Sequence, residues 1–130
     1  LSLHDALPIS SGRLQSAAYI EVTNIKSNAS IVLSNDKGER VTMIYDGKNG
    51  SFSMDRTESG VTEFHSDFKA KTVAPTNGII KSMQIFIDRC CVEAFDTEGK
   101  VAMTNLVFPS KPYDKILTKG CKVKVYALKD

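Results

Sequence analysis

The segment that determines the fold lies at residues 83–109 and reads MQIFIDRCCVEAFDTEGKVAMTNLVFP. Met83, Ile85 and Ile87 fall on one face of an extended segment, because successive side chains of a β-strand point to opposite faces. The extended pattern resumes over residues 92–95 after a short interruption. We therefore predict two consecutive strands in the first part of this segment.

A polar turn and a third strand complete the segment. Residues 96–100 are mostly polar, and Gly99 can adopt the positive φ that such turns often require. The return strand is predicted over residues 101–108, and Pro109 ends it because proline has no N–H to donate to a neighbouring strand. The whole segment is typical of an antiparallel β-sheet.

Short strands separated by turn signals occupy the remainder of the chain. Residues 46–50 contain both Asp-Gly and Asn-Gly, which favour tight hairpins. Residues 61–68 are interpreted as a loop leading into a strand, and residues 74–78 as an irregular connection. Further strands are predicted over residues 17–25, 30–34, 39–45, 51–54, 113–117 and 121–127. This pattern predicts an all-β fold, a two-sheet antiparallel β-sandwich of the jelly-roll-like, concanavalin-like kind.

Length and composition indicate one ordinary globular domain. The chain has 130 residues, of which 42% are hydrophobic and 25% charged. Its formal net charge is only +2, and its basic residues are scattered along strands, as on a solvated face. These features argue against a nucleic acid or an anionic membrane as the partner. No apolar run is long enough to span a bilayer.

Residues capable of catalysis or metal binding are sparse. Asp88 and Glu93 could approach one another, but nothing in the sequence raises the pKa of one of them selectively, as acid–base catalysis requires. Cys90, Cys91 and Cys121 lack metal-ligand spacing and are interpreted as small apolar core residues. A bridge from Cys121 to either of the other two stays open. No cofactor and no metal site is predicted.

The aromatic residues form no run along the sequence, and tryptophan is absent. Aromatic residues on the predicted strands could contribute to a sugar-stacking platform, although such residues are more often half-buried packing groups. The residues concerned are Tyr19, Tyr45, Phe52, Tyr113 and Tyr126. The sequence therefore offers weak support for carbohydrate binding.

Three ordered pieces of the chain match motifs of one enzyme family. The first has the pattern DR-x-x-SG, the second is similar to IFVD-x-SSVE-x-F, and the third is the strand that follows. The matching positions are Asp55, Arg56, Ser59, Gly60, Asp88, Arg89, Val92, Glu93, Phe95, Asn105, Phe108 and Pro109. Together these pieces resemble the C-terminal β-sandwich domain of glycoside hydrolase family 32, which includes invertases, levanases and inulinases. Cys90 and Cys91 depart from the pattern, since the family usually has two serines there.

The resemblance implies that the chain is one part of a larger enzyme. In this family the catalytic carboxylates belong to an N-terminal five-bladed β-propeller, in motifs that this sequence lacks, so we expect no catalytic residue here. The implied function is a non-catalytic module that packs against that propeller of the same parent chain and stabilises it. The parent would hydrolyse β-fructofuranosidic bonds in sucrose or fructans with retention. The alternative is a fructan-binding module.

The first residues of the chain differ in character from the remainder. Residues 1–10, LSLHDALPIS, resemble the translation of a sequencing adapter joined to a truncated reading frame. We therefore interpret residues 1–12 as a non-native or linker segment and residues 13–130 as the domain. An extracellular or periplasmic bacterial location is one alternative that the resemblance leaves open.

Overall fold

The computed structural model of the chain describes residues 7–9, 17–60, 71–96 and 98–127, the first three through their backbone only. Eleven strands lie in this part of the chain. They are β1 (Leu7–Ile9), β2 (Ala18–Thr23), β3 (Asn28–Ser34), β4 (Arg40–Asp46), β5 (Ser51–Asp55), β6 (Lys71–Pro75), β7 (Met83–Asp88), β8 (Cys91–Phe95), β9 (Ala102–Leu106), β10 (Lys115–Lys119) and β11 (Lys122–Ala127).

The strands form two antiparallel sheets that stack as a sandwich. Sheet A has six strands in the order β1-β11-β2-β7-β8-β9, and sheet B has five in the order β10-β3-β4-β5-β6. Each sheet turns one face toward the other, so side chains alternate between the interior and the surface. The predicted all-β sandwich is confirmed.

The segment that determines the fold forms half of sheet A. Strands β7, β8 and β9 pair in sequence order, with Ile87 opposite Val92 and Ala94 opposite Met103. Gly99, in the turn before β9, has a φ of 74°, as the turn prediction requires. The return strand is shorter than predicted, and its last residues instead join the contacts at one end of the sandwich.

The core lies between the sheets and receives one face of each strand. In β7 the burial pattern alternates strictly until the last residue. Burying one large apolar side chain contributes about 1.5–3 kcal/mol, so both sheets depend on this interior. Fully buried side chains are Ile20, Val22, Met83, Ile85 and Val92 from sheet A, and Leu33, Val41, Met43, Phe52 and Met54 from sheet B.

Strand β6 was not predicted from the sequence. Among the described strands it lies at the edge of sheet B and pairs with β5, and none of the residues from Lys71 to Pro75 is buried. An edge strand can end in proline and carry an exposed face, so its sequence resembles a loop. The predicted passage from loop to strand at residues 61–68 lies outside the described residues.

The N-terminal segment contributes one short strand. Residues Leu7–Ile9 pair with β11, in register from Ala127 to Val125. The sequence analysis had left this segment out of the fold, whereas the structure places part of it at the edge of sheet A. The domain boundary between residues 12 and 13 stays a prediction.

Gly120 lies in the tight turn that connects β10 in sheet B to β11 in sheet A. It has a φ of 71°, and a Cβ added there would lie 2.3 Å from the carbonyl oxygen of Asn28. Gly38, between β3 and β4, has a similar φ of 77°, but a Cβ there would meet nothing within 4 Å. A side chain at Gly38 would therefore meet only backbone strain, whereas a side chain at Gly120 would meet backbone strain and a steric clash.

We expect Gly38→Ala to lower the free energy of unfolding by about 1–2 kcal/mol through left-handed strain alone. Gly120→Ala adds a clash with a backbone carbonyl and is expected to cost a further 1–3 kcal/mol or so. Urea denaturation followed by circular dichroism measures both. Equal losses in the two variants would show that the contact with Asn28 does not constrain this connection.

Candidate functional site

The first motif piece leaves β5 at Asp55 and is held by local hydrogen bonds. Asp55 Oδ1 accepts hydrogen bonds from the N–H of Thr57 at 2.9 Å and from its hydroxyl at 2.6 Å. These bonds lower the pKa of Asp55 most, and the charges of Lys71 and Arg40 lower it further. Asp55 is therefore an ionised acceptor, which does not suit the role of a general acid.

Arg56 crosses from sheet B to sheet A and is only 5% exposed. Its Nη1 donates to the carbonyl oxygen of Leu106 at 2.7 Å. Burial lowers the pKa of the guanidinium, but arginine stays protonated in proteins. A charged donor makes a stronger hydrogen bond to a carbonyl oxygen than a neutral donor does. Arg56 thus ties the two sheets together at this end of the sandwich.

Ser59 and Gly60 pack the same loop against the segment after β9. The fully buried Ser59 donates from its hydroxyl to the carbonyl oxygen of Arg56 at 2.7 Å, and the Tyr113 hydroxyl donates to the carbonyl oxygen of Ser59. A Cβ on Gly60 would lie 2.3 Å from the carbonyl oxygen of Phe108. Glycine is needed here because the two backbones approach so closely.

The third motif piece joins the first and the second. Asn105 donates to the sulfur of Met54 at 3.3 Å and accepts from the Thr72 hydroxyl at 3.2 Å, so it links sheet A to β5 and β6. Two residues further on, the N–H of Val107 donates to the carbonyl oxygen of Cys90 at 2.9 Å. Cys90 lies in the turn between β7 and β8, so this bond attaches that turn to the junction.

The second motif piece reaches the junction only in part. Arg89 lies in the exposed turn, where its N–H donates to Asp88 Oδ1 at 2.6 Å, and it lines an open groove together with Pro109. Val92 is buried in the core, whereas Glu93 is exposed on the outer face of sheet A. The motif residues therefore fall into three groups: those at the junction between the sheets, Val92 in the core, and the exposed Arg89 and Glu93.

Four aromatic rings lie side by side on the outer face of sheet A, and we call them the aromatic ladder. They sit at outward positions of β11, β2, β7 and β8, and consecutive ring centroids are 5.7, 4.8 and 5.8 Å apart. Interplanar angles between 9° and 33° mean that neighbouring rings turn their faces toward one another. The aromatic ladder consists of Tyr126, Tyr19, Phe86 and Phe95.

Sequence analysis did not find the aromatic ladder, although it considered Tyr19 and Tyr126 for sugar stacking and named Phe95 as a motif position. Of the other aromatics considered there, Tyr45, Phe52 and Tyr113 are buried in the core. The available signal was the occupation of polar-face positions by aromatics, as in the alternation of Phe86 with the buried Ile85 and Ile87. Phenylalanine at an outward strand position indicates that this face is covered or packed.

A polar cleft with a volume of about 250 Å³ lies on the outer face of sheet B. We call it the polar cleft, and its walls are formed by Arg40, Thr42, Asp55, Thr57 and Glu58. Both signs of charge and two hydroxyls converge there. Sequence analysis matched Asp55 to the first motif piece but could not show that β4 lies beside it.

The cysteines do not form a cluster in the described part of the chain. All three are free thiols; Cys121 packs against the core, but Cys90 is exposed in the β7–β8 turn. The prediction that all three are core residues is wrong for Cys90, because a turn between paired strands projects from the sheet. Within the described residues no group of three His, Cys, Asp or Glu side chains could hold a metal ion, and no helix could cross a membrane.

Comparison with known proteins identifies a single family. The family model "Glycosyl hydrolases family 32 C terminal" matches residues 1–125. A levanase of Bacillus sp. (strain L7) is 29% identical over 127 residues, which is 92% of this chain and 14% of that protein. A levanase of Bacillus subtilis (strain 168) is 35% identical over 71 residues, 52% of this chain and 10% of that protein.

Solved structures show the same fold. An exo-inulinase from Aspergillus awamori superimposes with a TM-score of 0.78 at 19% identity, covering 96% of this chain and 28% of that chain. A sucrose-6-phosphate hydrolase from Lactobacillus gasseri gives a TM-score of 0.69 at 19% identity, with 96% and 27% covered. The chain therefore spans less than a third of the length of these relatives.

We expect Arg56→Ala to lower the free energy of unfolding by about 2–3 kcal/mol, because the Leu106 carbonyl loses a charged donor and the buried arginine side chain is removed. Arg89→Ala is the matched control: it also follows an aspartate, but it is exposed and is expected to change stability by about 0.5 kcal/mol or less. Urea denaturation measures both. Similar losses in the two variants would contradict the bridge between the sheets.

Tyr113 is expected to make the fold sensitive to alkali. Burial raises the pKa of its hydroxyl, with a smaller contribution from Glu39. The unfolded chain loses this proton near pH 10 while the folded chain retains it, so stability is complete below about pH 10 and falls above it. Tyr113→Phe should cost about 1 kcal/mol at neutral pH and flatten the alkaline decline. Unfolding curves between neutral and alkaline pH test this, and an unchanged decline would contradict it.

Proposed function

Since the chain belongs to the C-terminal domain family of glycosyl hydrolases family 32, as its motifs implied, we propose that it is a non-catalytic module of an enzyme that cleaves β-fructofuranosidic bonds in sucrose or fructans. In this proposal the module packs against a catalytic β-propeller of the same parent chain and stabilises it. The observation that carries the docking role is the aromatic ladder on the outer face of sheet A.

The placement of the carboxylates supports a non-catalytic role. Asp55 uses one oxygen to hold the loop after β5, and Asp88 accepts from the N–H of Arg89 in the β7–β8 turn. Both therefore serve as turn residues at strand ends. A glycosidase instead needs two carboxyl groups facing one another across a substrate cleft.

The aromatic ladder has the composition of an interface centre. Phe86, Phe95 and Tyr126 lie on an outer face and are nevertheless partly buried. The charged residues Glu93 and Lys124 on the same face are exposed. Aromatic residues are enriched in the centres of protein interfaces, and charged residues surround them. Because the rings use their faces for one another, the ladder favours packing against protein over stacking against sugar rings.

The relatives supply a plausible occupant for this face. More than two thirds of each matched inulinase and hydrolase chain lies beyond the part that this chain covers. Interfaces between domains of one chain are of moderate size and partly polar. The aromatic ladder, with the exposed charged residues Glu93 and Lys124 beside it, fits that description.

The test begins with the parent enzyme, recovered by a long DNA read upstream of the first codon. Phe86→Ser in the middle of the aromatic ladder is compared with Leu117→Ser, a residue that is 63% exposed on the outer face of sheet B. We expect Phe86→Ser to lower the melting temperature of the parent by about 5 °C more than that of the 130-residue chain, since the parent also loses a docking contact. Leu117→Ser should have the same small effect in both.

Two results would overturn the proposal. One is an upstream reading frame without a glycosidase domain. The other is a Phe86→Ser effect of equal size in the parent and in the chain alone, which would make the ladder a local packing feature. Sucrose and levan turnover, measured on the same variants, then shows whether docking affects activity.

A further inference from the structure

The polar cleft lies on the opposite sheet from the aromatic ladder, so the two surfaces can act independently. β4 contributes Arg40 and Thr42 to the polar cleft, β5 contributes Asp55, and the loop that follows contributes Thr57 and Glu58. Thr42 and Asp55 are direct partners across the two strands. These polar groups therefore converge because of the strand register.

The polar cleft combines hydrogen-bond donors and acceptors in a small space. Arg40 offers only donors, ionised Asp55 and Glu58 offer only acceptors, and threonine hydroxyls offer both. A simple anion would be repelled by the carboxylates, and a simple cation by the guanidinium. A neutral polyol has hydroxyl groups that both donate and accept, so it can form hydrogen bonds with the arginine, the carboxylates and the threonines of the polar cleft.

The Asp55 carboxylate and the backbone of the following loop are held in place before any ligand binds. Thr57 fixes Asp55 Oδ1 through two hydrogen bonds, while Asp55 Oδ2 accepts none from the described residues. The N–H of Arg40 donates to the carbonyl oxygen of Glu58 at 2.7 Å, which ties the loop to β4. Arg56, which directly follows Asp55, anchors the same loop to sheet A. A preorganised site loses less conformational entropy on binding.

The size and lining of the polar cleft limit the ligand to one small unit. Its volume of about 250 Å³ lies just below the range of roughly 300–1,000 Å³ for small-molecule sites. The described residues that line it include no aromatic ring to stack on a sugar face. Affinity must therefore come from hydroxyl hydrogen bonds alone, so we expect dissociation constants of about 1–10 mM.

We propose that the polar cleft binds a single furanose unit at the end of a fructan chain, away from the site of hydrolysis. Asp55 Oδ2 and the Glu58 carboxylate accept hydrogen bonds from ring hydroxyls, and Arg40 donates to ring oxygens. Thr57 acts as a positioning residue through Asp55. The choice of a fructan rests on the proposed function, whereas the choice of a neutral polyol rests on the polar cleft itself.

The experiment is a titration of the ¹⁵N-labelled 130-residue chain, followed by amide chemical shifts. The ligand is an inulin-type fructo-oligosaccharide, and cellotriose serves as a pyranose control. We expect the fructo-oligosaccharide to shift amides at residues 40–42 and 55–58, and cellotriose to leave them unchanged. Asp55→Asn, which keeps the acceptor for Thr57, should weaken binding about tenfold.

Asp46→Asn is the matched control. Asp46 is another strand-end aspartate of sheet B, bonded to Asn49 in its own turn and absent from the lining of the polar cleft. Its replacement should leave the dissociation constant unchanged. Equal weakening in both variants would indicate a general loss of negative charge and would overturn the assignment.

Three other results would overturn the proposal. They are an absence of shifts at saturating ligand, shifts centred on the aromatic ladder, and stronger binding of inorganic phosphate at the same amides. The titration contains no catalytic domain, so its failure leaves the docking role untouched. Conversely, failure of docking in the parent enzyme does not alter the titration.

Discussion

The hydrogen bond from Arg56 to the carbonyl oxygen of Leu106 is the interaction on which this end of the molecule depends. In a β-sandwich each sheet satisfies its own backbone groups, and apolar packing between the sheets is not directional. A buried guanidinium that reaches across the interior adds a directional link. Ser59 and Gly60 then pack around it, because the loop that carries Arg56 must lie against Phe108.

This junction determines where surfaces are free for other purposes. The ends of β5 and β9 are used for contacts between the sheets, and the β7–β8 turn bonds to the segment after β9, so the motif residues there are largely committed to the fold. The outer faces are not committed in this way. Sheet A presents the aromatic ladder and sheet B presents the polar cleft. The molecule thus separates a stabilising end from two faces with different chemistry.

The parts of the fold that sequence can predict are those with local signals. Alternation identified β7, and an Asn-Gly pair marked the hairpin between β4 and β5. Strand β6 escaped because an edge strand with Pro75 at its end lacks that alternation of buried residues. A strand is therefore predictable when the residues that define it are close together in sequence.

The sites were harder to predict for the same reason. Arg56 has no local sign of burial, since arginine is mostly exposed in proteins and its partner is fifty residues away. The aromatic ladder requires the register of three strand pairings, two of them between strands far apart in sequence, with Tyr126 opposite Tyr19 and Tyr19 opposite Phe86. The polar cleft needs Thr42 beside Asp55. The aromatic ladder and the polar cleft depend on the exact register between strands, and the Arg56 contact depends on how the two sheets stack; neither is a local pattern in the sequence.

The pairing of β2 with β11 has a consequence for how the chain reaches its native state. These strands lie side by side in the middle of sheet A, yet they are about a hundred residues apart in sequence. Closing so long a loop is entropically costly, and topologies of this kind fold slowly. Until β11 has emerged from the ribosome, the apolar strand β2 keeps an open edge that other chains can pair with. Pairing with β11 therefore closes the open edge of β2.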